Sequence, residues 1–575
     1  MQNSSDALIS SSQSQHVTLD LDVDGIPQSE GAPHLPAFAF NSRAEAKVLR
    51  NLDLLGLIFS DLSSEPSSHL QPSIKRARGR KNLLRVGLTC KAFFDPAMSQ
   101  LWHEMDSFLP MLRLIAKVEL REGVYTTREV ILEHDIQRLK LYGRWIRHIQ
   151  ISSFTERVSG HIYAAIARYT IGTPSCLFPS LRNLRIHSRC DIFPENFQFL
   201  PLLASSPLST IEIERITDNY KVHLASFLHE ISRQHPAENH PVSTLSLSGI
   251  FGISVLPHLK GFARISKLTL VHRAAGFYVE NLEFLSNHPL LSVLELDLPM
   301  EWTRIIKPSP NNAVHAFPYI RTLALGGSCN HILGILCHVY GERLTQVNLK
   351  LLGRGAEADA DILRACIFRC TTMAPMLDDL QLSFTALKIP QDLFSPLRGL
   401  KSPLRSLQVK SYVIDKHLFH IWFQEAGEWS DLEMLKLELH PSQASRRNQV
   451  DVLDLVTLPL LCTSFPKLHT LEIYLGHPDT DAAVIEPLLR SQMQSMVQTH
   501  GLVNLKILLF DHSSFIPFSM RDITLAITIS RFINHFFPNL QHLDLSHHHE
   551  SAYPAWRDWC RGVVEMTTNC TVLAR

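Results

Sequence analysis

The chain has 575 residues, 45% of them hydrophobic, and 55 Lys plus Arg balance 55 Asp plus Glu. That composition excludes global disorder and a collagen-like chain, and neutrality leaves no whole-molecule footprint for nucleic acid or a membrane surface. The length exceeds one ordinary core, so several domains or a repeat array are expected.

Residues 1–43 are rich in Ser, Gln, Asp and Pro without a hydrophobic period, and read as a disordered arm. They hold no basic and apolar stretches of a secretory signal, and no window approaches ~18 apolar residues, so no membrane span is expected. The 10 Cys are scattered, which suits reduced thiols of a cytoplasmic or nuclear protein.

Residues 44–108 predict a small helical module. Leu52, Leu55, Ile58, Phe59 and Leu62 recur at three- and four-residue steps, the stripe of an amphipathic helix, with Leu54 beside it. A polar and basic insertion, 65–81, contains the run Lys75–Lys81, which reads as a solvated loop; nuclear import or a phosphate contact is its functional alternative. Apolar density returns at Leu83, Leu84, Val86, Leu88, Cys90 and Phe93. Asp95-Pro96 looks like a helix start, Asp as cap and Pro at the first position, and that helix carries Leu101 and Trp102. Residues 109–145 read as a helical linker.

From 146 to 575 the pattern Leu-x-x-Leu-x-Leu, with Ile or Val allowed, returns about every 30 residues. Copies include Leu181-Leu184-Ile186, Leu291-Leu294-Leu296, Leu344-Val347-Leu349, Leu404-Leu407-Val409 and Leu540-Leu543-Leu545, several of them preceded by Phe-Pro. Alternation of Leu describes a short strand with one buried face, and the apolar-periodic stretches between copies describe returning helices. Such units bury their apolar faces only by stacking, so the expectation is a solenoid of the α/β class, parallel strands on the concave side and helices on the convex side. Residues alternating with the buried Leu should line the concave surface: Asn183, Arg185, Glu212, Glu295, Gln346, Asn348, Asp379, Gln381, Gln408, Lys436 and Glu472. Their mixed charge suits a protein partner better than nucleic acid.

No catalytic or metal constellation stands out. The nucleophile-elbow, Walker, zincin and Cys-x-x-Cys patterns are missing. Cys366 and Cys370 read as buried small residues on one helix face, and His547-His548-His549 alternate faces on a strand, so three cannot hold one ion. Trp556 and Trp559 with Val563 and Val564 predict a helix closing the last repeat. No catalytic residue, cofactor or metal is assigned.

The repeats resemble degenerate leucine-rich repeats, although the Asn or Cys expected three positions past the last Leu is mostly replaced, as by Arg189, Ser328 and His548. The amino-terminal module resembles an F-box. The matching residues are Leu54-Leu55, Ile58-Phe59 and Leu62, then Asn82–Phe93, then Leu101-Trp102, while Arg50-Asn51 stands where that family opens with Leu-Pro. An F-box followed by leucine-rich repeats is similar to many fungal proteins and to the substrate receptors of SCF-type cullin–RING ubiquitin ligases. The resemblance implies an adaptor-binding set of Leu52, Leu54, Leu55, Ile58, Phe59, Leu62, Leu84, Val86, Leu88, Cys90, Phe93, Leu101 and Trp102. It further implies a Skp-type adaptor, a cullin and a RING subunit as partners, and a protein substrate on the repeats. The other reading is a leucine-rich scaffold or inhibitor whose helical module is only a cap.

Overall fold

Each Leu-x-x-Leu-x-Leu copy closes a turn with its first apolar residue and buries the other two along a strand. The computed structural model describes residues 51–63 and 72–151, most of 157–411, then 429–439, Leu458, 464–476, 482–495, 500–510, 522–547 and 561–568. Among these residues, fifteen strands form one sheet. They are β1 Glu104–Met105, β2 His148–Ile151, β3 Asn183–Ile186, β4 Thr210–Ile216, β5 Thr244–Gly249, β6 Lys267–His272, β7 Val293–Asp297 and β8 Thr322–Ser328. Then follow β9 Gln346–Leu352, β10 Asp379–Thr385, β11 Ser406–Ser411, β12 Met434–Leu439, β13 Thr470–Gly476, β14 Asn504–Phe510 and β15 His542–His547. Every strand pairs in parallel with its neighbours in chain order. The motif positions fall into straight columns: Leu380 faces Leu407, which faces Leu435, which faces Leu471.

One face of this sheet is buried against the connecting segments. The helices of ten or more residues are α1 Leu52–Ser63, α2 Pro72–Gly87, α3 Lys91–Leu101, α4 Glu133–Gly143, α5 Gly160–Thr170, α6 Lys221–Gln234, α7 Cys329–His338, α8 Ala358–Met373, α9 Ala482–Ser495 and α10 Asp522–Phe536. From α4 on they return the chain, and their apolar faces share one core with the strand Leu, Ile and Val residues. The chain is a leucine-rich-repeat solenoid of the α/β class.

Two local devices shape the chain as it enters each strand. The Phe-Pro-x-Leu segments are four-residue turns: the N–H of Leu181 reaches the carbonyl of Phe178 at 3.2 Å, and Ile320–Phe317, Leu468–Phe465 and Leu540–Phe537 repeat the bond at 3.2, 3.1 and 3.1 Å. Proline at the second position supplies the backbone angle such a turn requires. A hydroxyl ladder runs beside it, Ser243 donating to the Ser209 carbonyl at 3.2 Å, Ser266 to Ser243 at 3.1 Å and Ser292 to Ser266 at 3.0 Å.

Several boundaries differ from the sequence reading. The sheet begins at β1, earlier than residue 146, because Glu104-Met105 pairs with His148-Ile149. The 109–145 segment is not wholly helical: Val118–Arg121 and Val124–Thr127 form an antiparallel hairpin before α4. The basic run Lys75–Lys81 lies within α2 rather than in a loop. Its helix is held by Leu83, which is buried, and by Arg80, which donates to the Glu104 carbonyl at 3.1 Å and pairs with Asp106 at 3.4 Å.

Helix α3 starts at Lys91, with Pro96 inside it rather than at its first position. The stripe Phe93, Ala97 and Leu101 explains this, since all three pack into the module's core from one helix face and Phe93 must therefore be helical. Proline costs that helix one hydrogen bond. Residues 561–568 form a helix that buries Val563, whereas Trp556 and Trp559, named in the closing-helix reading, lie outside the described residues. So does the 1–43 arm. Among the described residues no helix is long and apolar enough to cross a membrane.

Candidate protein-binding surfaces

The open face of the sheet presents three outward rows, one before, one between and one after each buried pair. The between row carries Arg185, Glu212, Glu295, Asn348, Gln381, Gln408, Lys436 and Glu472, and the row before it carries Asn183, Gln346 and Asp379. All eleven sequence-predicted concave residues therefore share one surface, and they are largely bonded to one another. Arg185 pairs with Glu212 at 2.9 Å, and Asn183 meets His148 at 2.7 Å. The Gln346 and Gln381 amides both donate to Asp379 Oδ2, at 2.8 and 3.2 Å, and Asn348 donates to Gln381 Oε1 at 3.3 Å. Glu295 accepts from the Thr269 hydroxyl at 3.1 Å.

The row after each buried pair went unnoticed in the sequence, yet it completes the surface. Lys410 reaches Glu438 at 2.7 Å, Lys436 bridges Glu438 at 3.0 Å and Glu472 at 3.2 Å, and Lys506 closes on Glu472 at 3.3 Å. Charge thus alternates across β11 to β14. Burial alone would raise the Glu438 carboxyl, but hydrogen bonds from Lys410 and Lys436 hold it below the ordinary carboxylate range. Burial likewise opposes charge on Lys436, and Glu438 and Glu472 more than offset it, raising its ammonium. The missed row was legible in principle, because alternation continues past the motif through Leu351 and Phe384, both buried.

At mid-sheet the surface dips into a cavity of about 240 Å³. Its floor is Ala324 and Gly326 of β8, its walls Glu295 and Asp297 on one side and Asn348, Lys350, Gln381 and Lys410 on the other. Lys350 pairs with Asp297 at 3.4 Å across Gly326. A side chain at that glycine would begin 2.6 Å from Asp297 Oδ1 and push the carboxylate aside, so the glycine leaves the crossing open.

The helical module has a second surface. Asn51 caps α1, its Oδ1 accepting from the N–H groups of Asp53 and Leu54 at 3.0 and 3.1 Å. Leu55 and Phe59 are buried with Leu83 and Ala97, and Val86, Phe93 and Leu101 pack on them, so these predicted adaptor contacts form the module's own core. Leu54, Ile58, Leu88 and Cys90 face outward, and Leu84 is half-buried. Exposure is 48% at Ile58 and 70% at Leu88, with Leu57, absent from the sequence-based set, at 65%. Trp102 turns the other way, against Tyr142 with ring centres 5.2 Å apart, where it ties the module to the solenoid together with the Arg144–Asp95 pair at 3.1 Å. The side chains of Leu52 and Leu62 lie outside the described residues.

Cys366 and Cys370 are fully buried in α8. Burial pushes the Cys370 and Cys329 thiols up to about 12 and raises Cys366 well above the ordinary thiol value, which makes them poor nucleophiles. Among the described residues no group of three His, Cys, Asp or Glu is arranged to hold a metal, and His548 and His549 lie outside them.

No family model matches the sequence, and no curated protein matches it. Among solved structures the chain is similar to the leucine-rich-repeat-containing protein LegL7 from Legionella pneumophila, with 13% identity, a TM-score of 0.33, and coverage of 63% of this chain and 91% of that one. It is similar also to a leucine-rich-repeat protein of Leptospira interrogans, with 12% identity, a TM-score of 0.28, and coverage of 68% and 90%.

Proposed function

We propose that this leucine-rich-repeat protein is the substrate-recognition subunit of an SCF-type cullin–RING ubiquitin ligase, working in the cytoplasm or nucleus. The observation that carries the reading is the exposed apolar face of α1 and the α2 end, Leu54, Leu57, Ile58 and Leu88, on a module that already has a core of its own. Apolar groups left over after the core is filled point to a partner. In this reading a Skp-type adaptor covers that face and links the chain to cullin and RING subunits, while the concave surface holds a protein substrate. The receptor supplies no catalytic group. It acts by proximity, raising the local concentration of substrate at a charged conjugating enzyme.

The close packing of Trp102 on Tyr142 and of Arg144 on Asp95 favours a second reading, in which the module is a cap on a scaffold or inhibitor. Binding of a recombinant Skp-type adaptor to the full chain separates the two. Leu57→Asp with Ile58→Asp should lower affinity by thirtyfold or more, since an interface anchor is worth roughly 2 kcal/mol. Replacing Lys75, Arg76 and Arg78 by Gln should change affinity little, because in this reading the apolar face, not the basic run, anchors the adaptor. If the parent chain fails to capture any adaptor, or the apolar variant binds as the parent does, the cap reading stands.

A further inference from the structure

We infer that the mid-sheet cavity is an arginine-reading subsite for a side chain of a protein partner. The inference deepens the protein-binding reading of the concave face and rests on it.

Hydrogen-bond bookkeeping sets the chemistry of the occupant. The amide nitrogens of Asn348, Gln381 and Gln408 are turned to protein acceptors, namely Gln381, Asp379 and Glu438. Both cavity lysines are charge-paired as well, Lys350 with Asp297 and Lys410 with Glu438. The charge left without a counter-charge, among the described residues, is a carboxylate's. Glu295 has one bond, from Thr269 to Oε2, and no cation beside it, and the side-chain oxygens of Asn348 and Gln408 accept nothing. A ligand that completes the cavity's charge pairing and uses these oxygens donates hydrogen bonds and brings positive charge.

Shape narrows the choice to a planar group. Glu295 on β7 and Asn348 on β9 stand on either side of β8, so their backbones are two strand spacings, about 10 Å, apart. Between them β8 offers only the Ala324 methyl and Gly326, a flat floor. A guanidinium lying over that floor meets the Glu295 carboxylate along one edge in the two-bond geometry that arginine favours, and Asn348 Oδ1 along the other. The Asp297–Lys350 pair closes one end of the slot and gives a second carboxylate within the same cavity. An ammonium would fit the charge but not the flat, two-sided set of acceptors.

The test uses the full-length chain and Nα-acetyl-arginine methylamide, with the citrulline analogue as its uncharged isostere, titrated by saturation-transfer NMR. The arginine compound should bind in the millimolar range and the citrulline compound at least about tenfold more weakly, as expected for loss of a charge-assisted hydrogen bond. Glu295→Gln should weaken the arginine compound similarly while leaving the melting temperature unchanged. Equal binding of the two compounds, tighter binding of the Nα-acetyl-glutamate counterpart, or no binding of the arginine compound would each overturn the assignment. Loss of adaptor capture with arginine binding intact would sink the ligase reading alone.

Discussion

His288 occupies the place that Phe178, Phe262, Phe317, Phe465 and Phe537 hold in other repeats, three residues before the first motif Leu, and its carbonyl accepts from Leu291 at 3.3 Å. It is buried, and burial lowers its imidazole below the ordinary value. His240 is the extreme case: burial, then the neighbouring His235, lower it to about 4. An unfolded imidazole takes up its proton near 6.5, whereas folded His240 stays neutral down to about 4. The unfolded chain therefore binds more protons throughout that window, so stability is full above 6.5 and declines as pH falls toward 4. Thermal melts should show the midpoint dropping from pH 7 to pH 5, each such group contributing up to ~1.4 kcal/mol per unit. His288→Phe should be tolerated at pH 7 and should flatten that slope; an unchanged slope would exclude His288 as a contributor.

Among the elements, β4 and β5 meet at a bulge. Register slips between Ile213 and Ile216, Arg215 takes a φ of 55° and Gly249, opposite, a φ of 129°. A side chain at Gly249 would begin 2.3 Å from the backbone N and O of Ile216, a contact that no rotamer relieves. Gly249→Ala should cost at least about 2 kcal/mol, read as a lowered denaturation midpoint, while Gly123→Ala, where φ is 76° but space is open, should cost less. How far the elements could be read from sequence depended on whether apolar periodicity was present. The strand columns were legible because Leu alternates with polar residues wherever one face is buried. Helix α2 was not, because Lys75–Lys81 carries no apolar period and the helix is fixed by tertiary contacts of Arg80 and Leu83. Asp95-Pro96 misled for the opposite reason, a local capping signal overruled by the packing of Phe93 one turn earlier. The outward strand positions follow from alternation, whereas the cavity depends on Gly326 and Asp297 coming together from separate strands, which no local pattern encodes.

For the whole molecule, the sheet advances ~4.8 Å per strand, so fifteen strands describe an arc of about 67 Å. Small-angle scattering should give an elongated, curved particle; a compact sphere with a radius of gyration near ~25 Å would contradict the continuous solenoid.

The one-to-one register has an evolutionary corollary. Thr244 and Lys267 are paired although 23 residues apart, and Asn504 and His542 are paired although 38 apart. Strand pairing is therefore indifferent to how much chain loops out behind it. Insertions and deletions on the convex side can accumulate without moving any residue of the open face, and a substitution on that face leaves the backbone of its neighbours in place while changing their side-chain partners. Such a chain can exchange its binding specificity one strand at a time, as type is reset letter by letter in a fixed line.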